Sequence, residues 1–371
     1  MLIAALVLLG CWVYCVLAVV GAVKHVRTRR PSALVKPVAI SVLKPLAGLD
    51  EGLEQNLRSF FEQDYQEFEL LFAVRQKSDP AAEITARLMR EYPHVQSRLL
   101  VTGEPPYAHA KVHSLQCMLD ASKHGLIVMS DSDVRVRADF CPSLAAEFED
   151  ERLGLVTCPY RAIAGKGIWS RLEAIGMNTD FHAGLFTAVM MEGAKFAVGP
   201  TIVARKQVLE DLGGMERVRD YLSSEDFMLG RIAAELGFGV RLSPYVVEHR
   251  IGSESMLNNF SHRLRWARTT RRSRPWGYIG QFFTYPLPIG ASLCLIWPRY
   301  WPLLAITGLF RAAAAWTVSE RILHVTVPWL LLPLQDLLGF GFWIAGFFGN
   351  SIHWRGQRYV LNRDGTVDLA G

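Results

Sequence analysis

Ile127-Val-Met-Ser-Asp-Ser-Asp-Val134 is the stretch that decides the fold. An uncharged apolar run, of the kind carried by a strand buried on both faces, ends in two carboxylates one residue apart. Hard oxygen ligands with that spacing can hold a divalent cation, and the cation in turn neutralises a diphosphate. Asp131 and Asp133 are therefore the candidate metal pair, with Mg²⁺ or Mn²⁺ as the expected ion. An isolated Asp-x-Asp is common in solvated turns, so its weight depends on what surrounds it.

Upstream, the pattern alternates. Val38–Leu43 reads as a strand, Lys44–Glu51 as a loop, Leu53–Phe61 as a helix and Phe68–Val74 as a second strand. Ala81–Glu91 reads as a helix, Ser97–Val101 as a third strand, and His113–Ala121 as a helix feeding Leu126–Met129. Strands alternating with short helices predict a mostly parallel α/β sheet, in which ligands bind beyond the carboxyl ends of the strands. Lys44, Asp50, Asp79 and Asp131 all fall at or just past such ends. Asp79 precedes Pro80, so it reads either as a turn and helix start or as a carboxylate for the base or ribose of a nucleotide.

Downstream, Gly154–Tyr160 is strand-like, and Lys195–Lys206 is a strand region in which Gly199 gives the backbone room. Glu225 and Asp226 open a helix, where the plain reading is acidic capping of the helix dipole. Residues 168–191 are long and apolar but are interrupted by Glu173, Asp180 and His182, which suits an interfacial helix better than a span. His182 is a candidate for an acceptor site, against the commoner structural histidine. In Phe260-Ser-His-Arg-Leu-Arg-Trp266, Arg265 can grip diphosphate oxygens and Trp266 can stack on a sugar or acceptor face.

The bulk numbers fit a polar domain tied to a bilayer: 371 residues, 50% hydrophobic, 20% charged, net charge +5 and mean hydropathy +0.17. Leu2–Val23 is uncharged and long enough to cross as a helix. Positive charge precedes none of it and follows at Lys24, Arg27, Arg29 and Arg30, so it reads as an uncleaved signal anchor (1–23) with a basic linker (24–37). That orientation puts residues 38–280 in the cytosol, with interfacial helices near 168–191 and 256–280. Segments near 281–298, 300–317 and 327–349 are apolar enough to enter the membrane. Prolines 286, 288, 298 and 302 break the first pair. Three full crossings would carry the tail (350–371) to the outside, against the charge rule. One re-entrant segment, or a shallow hairpin of the first two, would keep it cytosolic. Because the basic clusters flank apolar segments, anionic lipid headgroups are the expected partner and nucleic acid is not. The six cysteines show no metal or disulfide spacing, which implies a reducing compartment.

Together these motifs resemble family 2 and family 21 glycosyltransferases, the group of ceramide glucosyltransferases and bacterial hopanoid-associated glycosyltransferases. The carriers are Leu43-Lys-Pro-Leu-Ala-Gly-Leu-Asp, Phe60-Phe-Glu-Gln-Asp-Tyr, Ser78-Asp-Pro, Asp131-Ser-Asp-Val-Arg-Val, Gly154-Leu-Val, Ser224-Glu-Asp-Phe, His262-Arg-Leu-Arg-Trp and Trp354-Arg-Gly, spread over about residues 38–360. The resemblance implies a GT-A-type nucleotide-sugar-binding domain with N- and C-terminal transmembrane helices. It makes Asp79 and Asp131 nucleotide-sugar contacts, Asp226 the catalytic base, and Arg265 and Trp266 the last two motif residues. Lys44 and Asp50 join the donor site, while Glu225, His182 and His262 are acceptor or headgroup candidates. His262 stands where the family has Gln or Arg. The implied activity is inverting transfer of a hexose, glucose first, from a UDP-sugar to a hydroxyl of a ceramide-like membrane lipid. Hopanoid or glycerolipid acceptors are the alternative, and a non-catalytic membrane scaffold is disfavoured because every motif residue is present. The implied location is an integral membrane one, the inner membrane in a bacterium.

Overall fold

The computed structural model describes residues 2–27, 38–222, 224–253, 255–354 and 357–369. Residues 28–37 of the basic linker and Arg355-Gly356 of the tail motif lie outside them. In chain order the helices are α1 Leu2–Val26, α2 Leu53–Phe61, α3 Pro80–Glu91, α4 Ala110–Ala121, α5 Phe140–Glu147, α6 Ile168–Gly176, α7 His182–Glu192, α8 Lys206–Asp211, α9 Glu225–Glu235, α10 Met256–Ser273, α11 Pro275–Gly280, α12 Pro286–Ile296, α13 Trp301–Trp316 and α14 Leu332–Gly346. The strands are β1 Ile40–Pro45, β2 Phe68–Val74, β3 Gln96–Val101, β4 Leu126–Ser130, β5 Val134–Arg135, β6 Leu153–Thr157, β7 Tyr160–Ala164, β8 Thr201–Arg205, β9 Gly239–Leu242, β10 Val247–Gly252, β11 Ser351–Trp354, β12 Gln357–Leu361 and β13 Val367–Leu369. The chain divides into two units, one of residues 29–160 and 194–252 and one of residues 1–28, 161–193 and 253–371.

The first unit is a seven-stranded sheet in the order β3-β2-β1-β4-β8-β6-β9. β1, β2, β3 and β4 run parallel, and β8 is antiparallel to both β4 and β6. Every residue of β2 and β4 is buried, as their unbroken apolar runs require, whereas β3 at the sheet edge alternates and is partly exposed. Leu43, Leu71, Ile127, Met129 and Ile202 pack with Val112, Leu115 and Leu119 of α4 and Leu229 and Ala233 of α9 into one core. The chain enters this sheet at β1, winds outward to β3, and then returns to the other side of β1 as β4. The order therefore reverses between β1 and β4, and α/β sheets bind ligands at such a switch point.

The second unit gathers the apolar helices. Three helical stretches are long and apolar enough to cross a membrane, at 3–26, 298–322 and 329–346, and a fourth candidate, 275–284 with 286–296, is bent by 58°. That bend falls at Pro286, one of the prolines expected to break the segment. α1 turns Leu6, Leu9, Val13, Val16 and Val20 outward and buries Cys11, Cys15, Ala18 and Ala22. Small residues on the inner stripe let helices approach closely: a Cβ on Gly21 would lie 2.8 Å from the backbone oxygen of Phe186 on α7. Trp12 donates to Thr307 on α13 at 3.0 Å and stacks on Phe310. Arg311 of α13 is buried and forks onto Asp336 of α14, with Nε–Oδ2 at 2.8 Å and Nη2–Oδ1 at 2.7 Å. Its Nη2 also reaches Asp180 and Thr179 in the π-helical turn between α6 and α7. Residues 168–191 and 256–280, read from sequence as interfacial parts of a continuous 38–280 domain, fall in the unit of these helices (161–193 and 253–371 of the chain) and not in that of the sheet.

Candidate active site

Asp131 leaves the carboxyl end of β4, at the switch point, and its turn is built from below. Lys44, at the end of β1, is fully buried. Its ammonium donates to Ser130 Oγ at 3.3 Å and to the Asp131 carbonyl, and lies 3.9 Å from the Phe60 ring. Burial pulls the Lys44 ammonium down to about 7, against the opposing pull of Asp131, Asp133 and Asp50. Lys44, expected at the donor site, holds the turn that presents Asp131. Asp50 accepts from Ser132 Oγ, and Asn56 Nδ2 donates to the Ser132 carbonyl at 3.3 Å, so the loop after β1 grips the middle of Asp-Ser-Asp. Asp79 caps α3, accepting from Ala81 N at 2.9 Å and from Gly48 N at 3.0 Å. This is the geometry of the helix-start reading, and it ties the loop after β2 to the loop after β1.

The carboxylates sit in a chain of alternating charge. Lys111, in the first turn of α4, pairs with Asp131 at 2.7 Å and Glu225 at 3.2 Å. Buried His109, just before α4, lies 3.4 Å from the other Glu225 oxygen. Burial pushes Glu225 upward, but Lys111 and His109 outweigh it and hold the carboxyl well below its ordinary range. On Asp226 the pull of Lys111 is outweighed. Burial, and then the Glu225 charge beside it, raise its carboxyl to about 7. A Cβ at Gly199 would come within 3.0 Å of Asp226 Oδ2, so the missing side chain there is what gives the carboxylate its place. Lys111, Ser130, Asp131, Gly199, Glu225 and Asp226 line one cleft.

Asp133 is held by His249 of β10 at 3.1 Å, while its Oδ1 is buried with no hydrogen-bond partner. Among the described residues no three His, Cys, Asp or Glu side chains converge as a ready metal cage. The residues nonetheless fit a divalent ion in the form the sequence suggested. Two carboxylates one residue apart, one with an unmet buried oxygen, can serve an ion that completes its shell with diphosphate and water, as Mg²⁺ commonly does. Sequence reasoning missed Lys111, His109 and His249. The strand-end rule that found Lys44 and Asp79 also covers the loop after β3, where His109 lies; Lys111, inside α4, escapes it.

The remaining motif residues lie in the helical unit. Arg265 is buried on α10, and the Trp266 ring lies 4.3 Å from that of His262. His262 Nδ1 lies 3.0 Å from Glu173 of α6. His182 is completely buried, with Nδ1 2.6 Å from the Met177 carbonyl, which is the structural reading. The basic run expected at lipid headgroups is turned inward in part. Arg268 and Arg271 donate to the carbonyls of Phe348 and Gly349 at 3.1 and 2.8 Å, capping the end of α14.

A parallel-rich sheet with Asp-x-Asp at its switch point and a buried acidic pair opposite defines the class as a GT-A-type glycosyltransferase. A mannosyltransferase from Pyrobaculum calidifontis, solved with GDP-Man and Mn²⁺, shares the fold at TM-score 0.56 and 17% identity, over 93% of this chain and 96% of that one. The model of glycosyl transferase family 21 matches residues 2–367, so the chain belongs to that family. Ceramide glucosyltransferase 1 of Caenorhabditis elegans is 30% identical over 61% of this chain and 48% of its own length. Ceramide glucosyltransferase 3 of the same organism is 26% identical over 92% and 76%. The chain thus spans about half of the first relative and three quarters of the second.

Proposed function

We propose that the protein is a membrane-bound inverting glycosyltransferase that moves glucose from UDP-glucose to the primary hydroxyl of a ceramide-like lipid, with its sheet unit in the cytosol. The observation that carries this reading is Asp226: a carboxyl tuned to about 7, in the same cleft as Asp131. A general base works best with such a pKa near the working pH. Asp226 takes the proton of the lipid hydroxyl as its oxygen attacks the anomeric carbon in line, opposite the departing diphosphate. A single base suffices, because inversion needs no covalent glycosyl-enzyme. Asp131 and Asp133 would hold Mg²⁺ or Mn²⁺, which when bound supplies charge neutralisation for the leaving diphosphate. Lys111 holds Asp131 and Glu225 in register and keeps Glu225 ionised, while the Asp226 carboxyl is raised to about 7. The names of the two nematode relatives support glucose and ceramide.

The test is transfer of labelled glucose from UDP-glucose to ceramide in membranes carrying the protein, with Asp226→Asn and EDTA as controls. Loss of a base costs about 10²–10⁴-fold in rate. Product that survives Asp226→Asn at the wild-type rate removes the base assignment, and product that survives EDTA removes the metal. Absence of glucosylceramide alongside transfer to another lipid would replace the acceptor.

A further inference from the structure

We propose that α10 and the start of α6 form a subsite for an uncharged membrane lipid, with Asn259 and Arg263 reading its polar group and Ile168, Met256 and Phe260 seating its hydrocarbon. Identifying that lipid with the acceptor rests on the function proposed above, but the chemistry of the subsite stands separately.

Asn259, His262, Arg263 and Trp266 follow one another at helical spacing and share a face of α10. Glu173 of α6 lies against that face and is only 4% exposed. One of its oxygens accepts from the Asn259 amide and the other lies 3.0 Å from His262. Because a carboxylate can only accept, it fixes the Asn259 amide with its NH₂ toward Glu173. The amide oxygen is left buried without a partner. One turn further along, the Arg263 guanidinium lies 4.6 Å over the Phe342 ring of α14, and its Nη1 is also buried without a partner. The face therefore carries one unmet acceptor and one unmet donor, each of which a ligand could satisfy.

A ligand that supplies both a donor and an acceptor relieves both. A secondary amide does so, and so do neighbouring hydroxyls. A phosphate does not fit as well: it brings acceptors only at neutral pH, and Glu173 beside Arg263 repels it. Met256 and Phe260, each one turn before Asn259 or Arg263 on α10, are apolar and open at 46% and 37% exposed, and Ile168 at the start of α6 is 42% exposed. Trp169 meets Phe260 edge-on at 5.4 Å, tying the start of α6 to α10. An exposed apolar patch bordering buried, unmet polar groups suits an amphipathic occupant. Since the patch belongs to the unit of membrane-crossing helices, the occupant is a bilayer lipid.

The experiment is binding of a fluorescent short-chain ceramide to the full-length protein in detergent. Unlabelled ceramide, a long-chain polyol and phosphatidylglycerol serve as competitors. Asn259→Leu and Arg263→Leu should each weaken binding about tenfold or more, the worth of one hydrogen bond to a desolvated group. Ceramide should compete and phosphatidylglycerol should not. Met256→Glu, at an exposed position in the first turn of α10, should weaken binding even where Asn259→Leu fails to fold. Wild-type affinity in variants that melt like the wild type would overturn the subsite, as would equal competition by phosphatidylglycerol or no binding of ceramide or polyol. Competition by the polyol alone would keep the subsite and remove ceramide from the proposed function.

Discussion

Asp226 and Glu225 are adjacent in sequence and opposite in character, and the difference lies in what surrounds each. Glu225 has Lys111 at 3.2 Å and His109 at 3.4 Å, while Asp226 has Glu225 and burial. A base must be deprotonated to act, so kcat/KM should fall about tenfold per pH unit below a limb near 7 and be flat above it. Removing the neighbouring negative charge lowers the carboxyl, so Glu225→Gln should move that limb to lower pH. An unmoved limb in the pH profile of the variant would break the coupling. Gly199→Ala is the steric counterpart. Its Cβ would stand 3.0 Å from Asp226 Oδ2 and force the carboxylate to turn by a few tenths of an ångström. A drop in kcat of roughly tenfold with donor affinity intact is the expected result in steady-state kinetics. The acidic pair at the start of α9 is visible in one dimension, but by itself it reads as capping of the helix dipole, and only the family resemblance made Asp226 the candidate base. Lys111 could not be read from sequence, because a lysine in the first turn of a helix reads as solvated until the fold sets two carboxylates around it.

At the level of elements, the strands that read most clearly were those buried on both faces: Phe68–Val74 is β2 residue for residue. The antiparallel insertion of β8 between β4 and β6 left no local trace, since an antiparallel strand inside a covered sheet is as apolar as its parallel neighbours. Among the helices, the membrane segments were legible by hydropathy but their fastening was not. Arg311 reads as a lone charge in an apolar stretch, and only the fold brings Asp336 and Asp180 to it. Breaking such a pair from one side strands a buried charge, at a cost of about 3–5 kcal/mol. Arg311→Leu leaves two carboxylates facing each other and should lower the melting temperature in detergent sharply. Arg311→Leu combined with Asp336→Leu should recover part of that loss, which would identify the penalty as unpaired charge. If the double variant melts no higher than the single, α13 and α14 are held by packing and the ion pair adds nothing.

Across the whole molecule, the chain passes from one unit to the other near residues 28, 160, 193 and 252, so the sheet is completed only after the chain has visited the helical unit and returned. No single cut separates a donor-binding piece from a membrane piece, and the sheet unit must therefore fold on whichever side of the bilayer α1 places it. Lys24 in the last turn of α1 and Arg27, Arg29 and Arg30 behind it oppose translocation, and the nucleotide-sugar donor proposed above would be met on that same side. These two arguments are independent, and one measurement checks both. In vesicles turned inside-out, an added protease should reach the exposed turn around Glu149–Arg152 between α5 and β6, and UDP-sugar should reach the cleft without detergent. In right-side-out spheroplasts the same protease should leave the sheet unit whole, and UDP-sugar should support transfer only after the membrane is permeabilised. Cleavage in spheroplasts would reverse the orientation and leave the basic residues after α1 on the wrong side of the charge rule. Cleavage in inverted vesicles with no access for the donor would keep the orientation but show that the cleft opens elsewhere than on the protease-accessible surface.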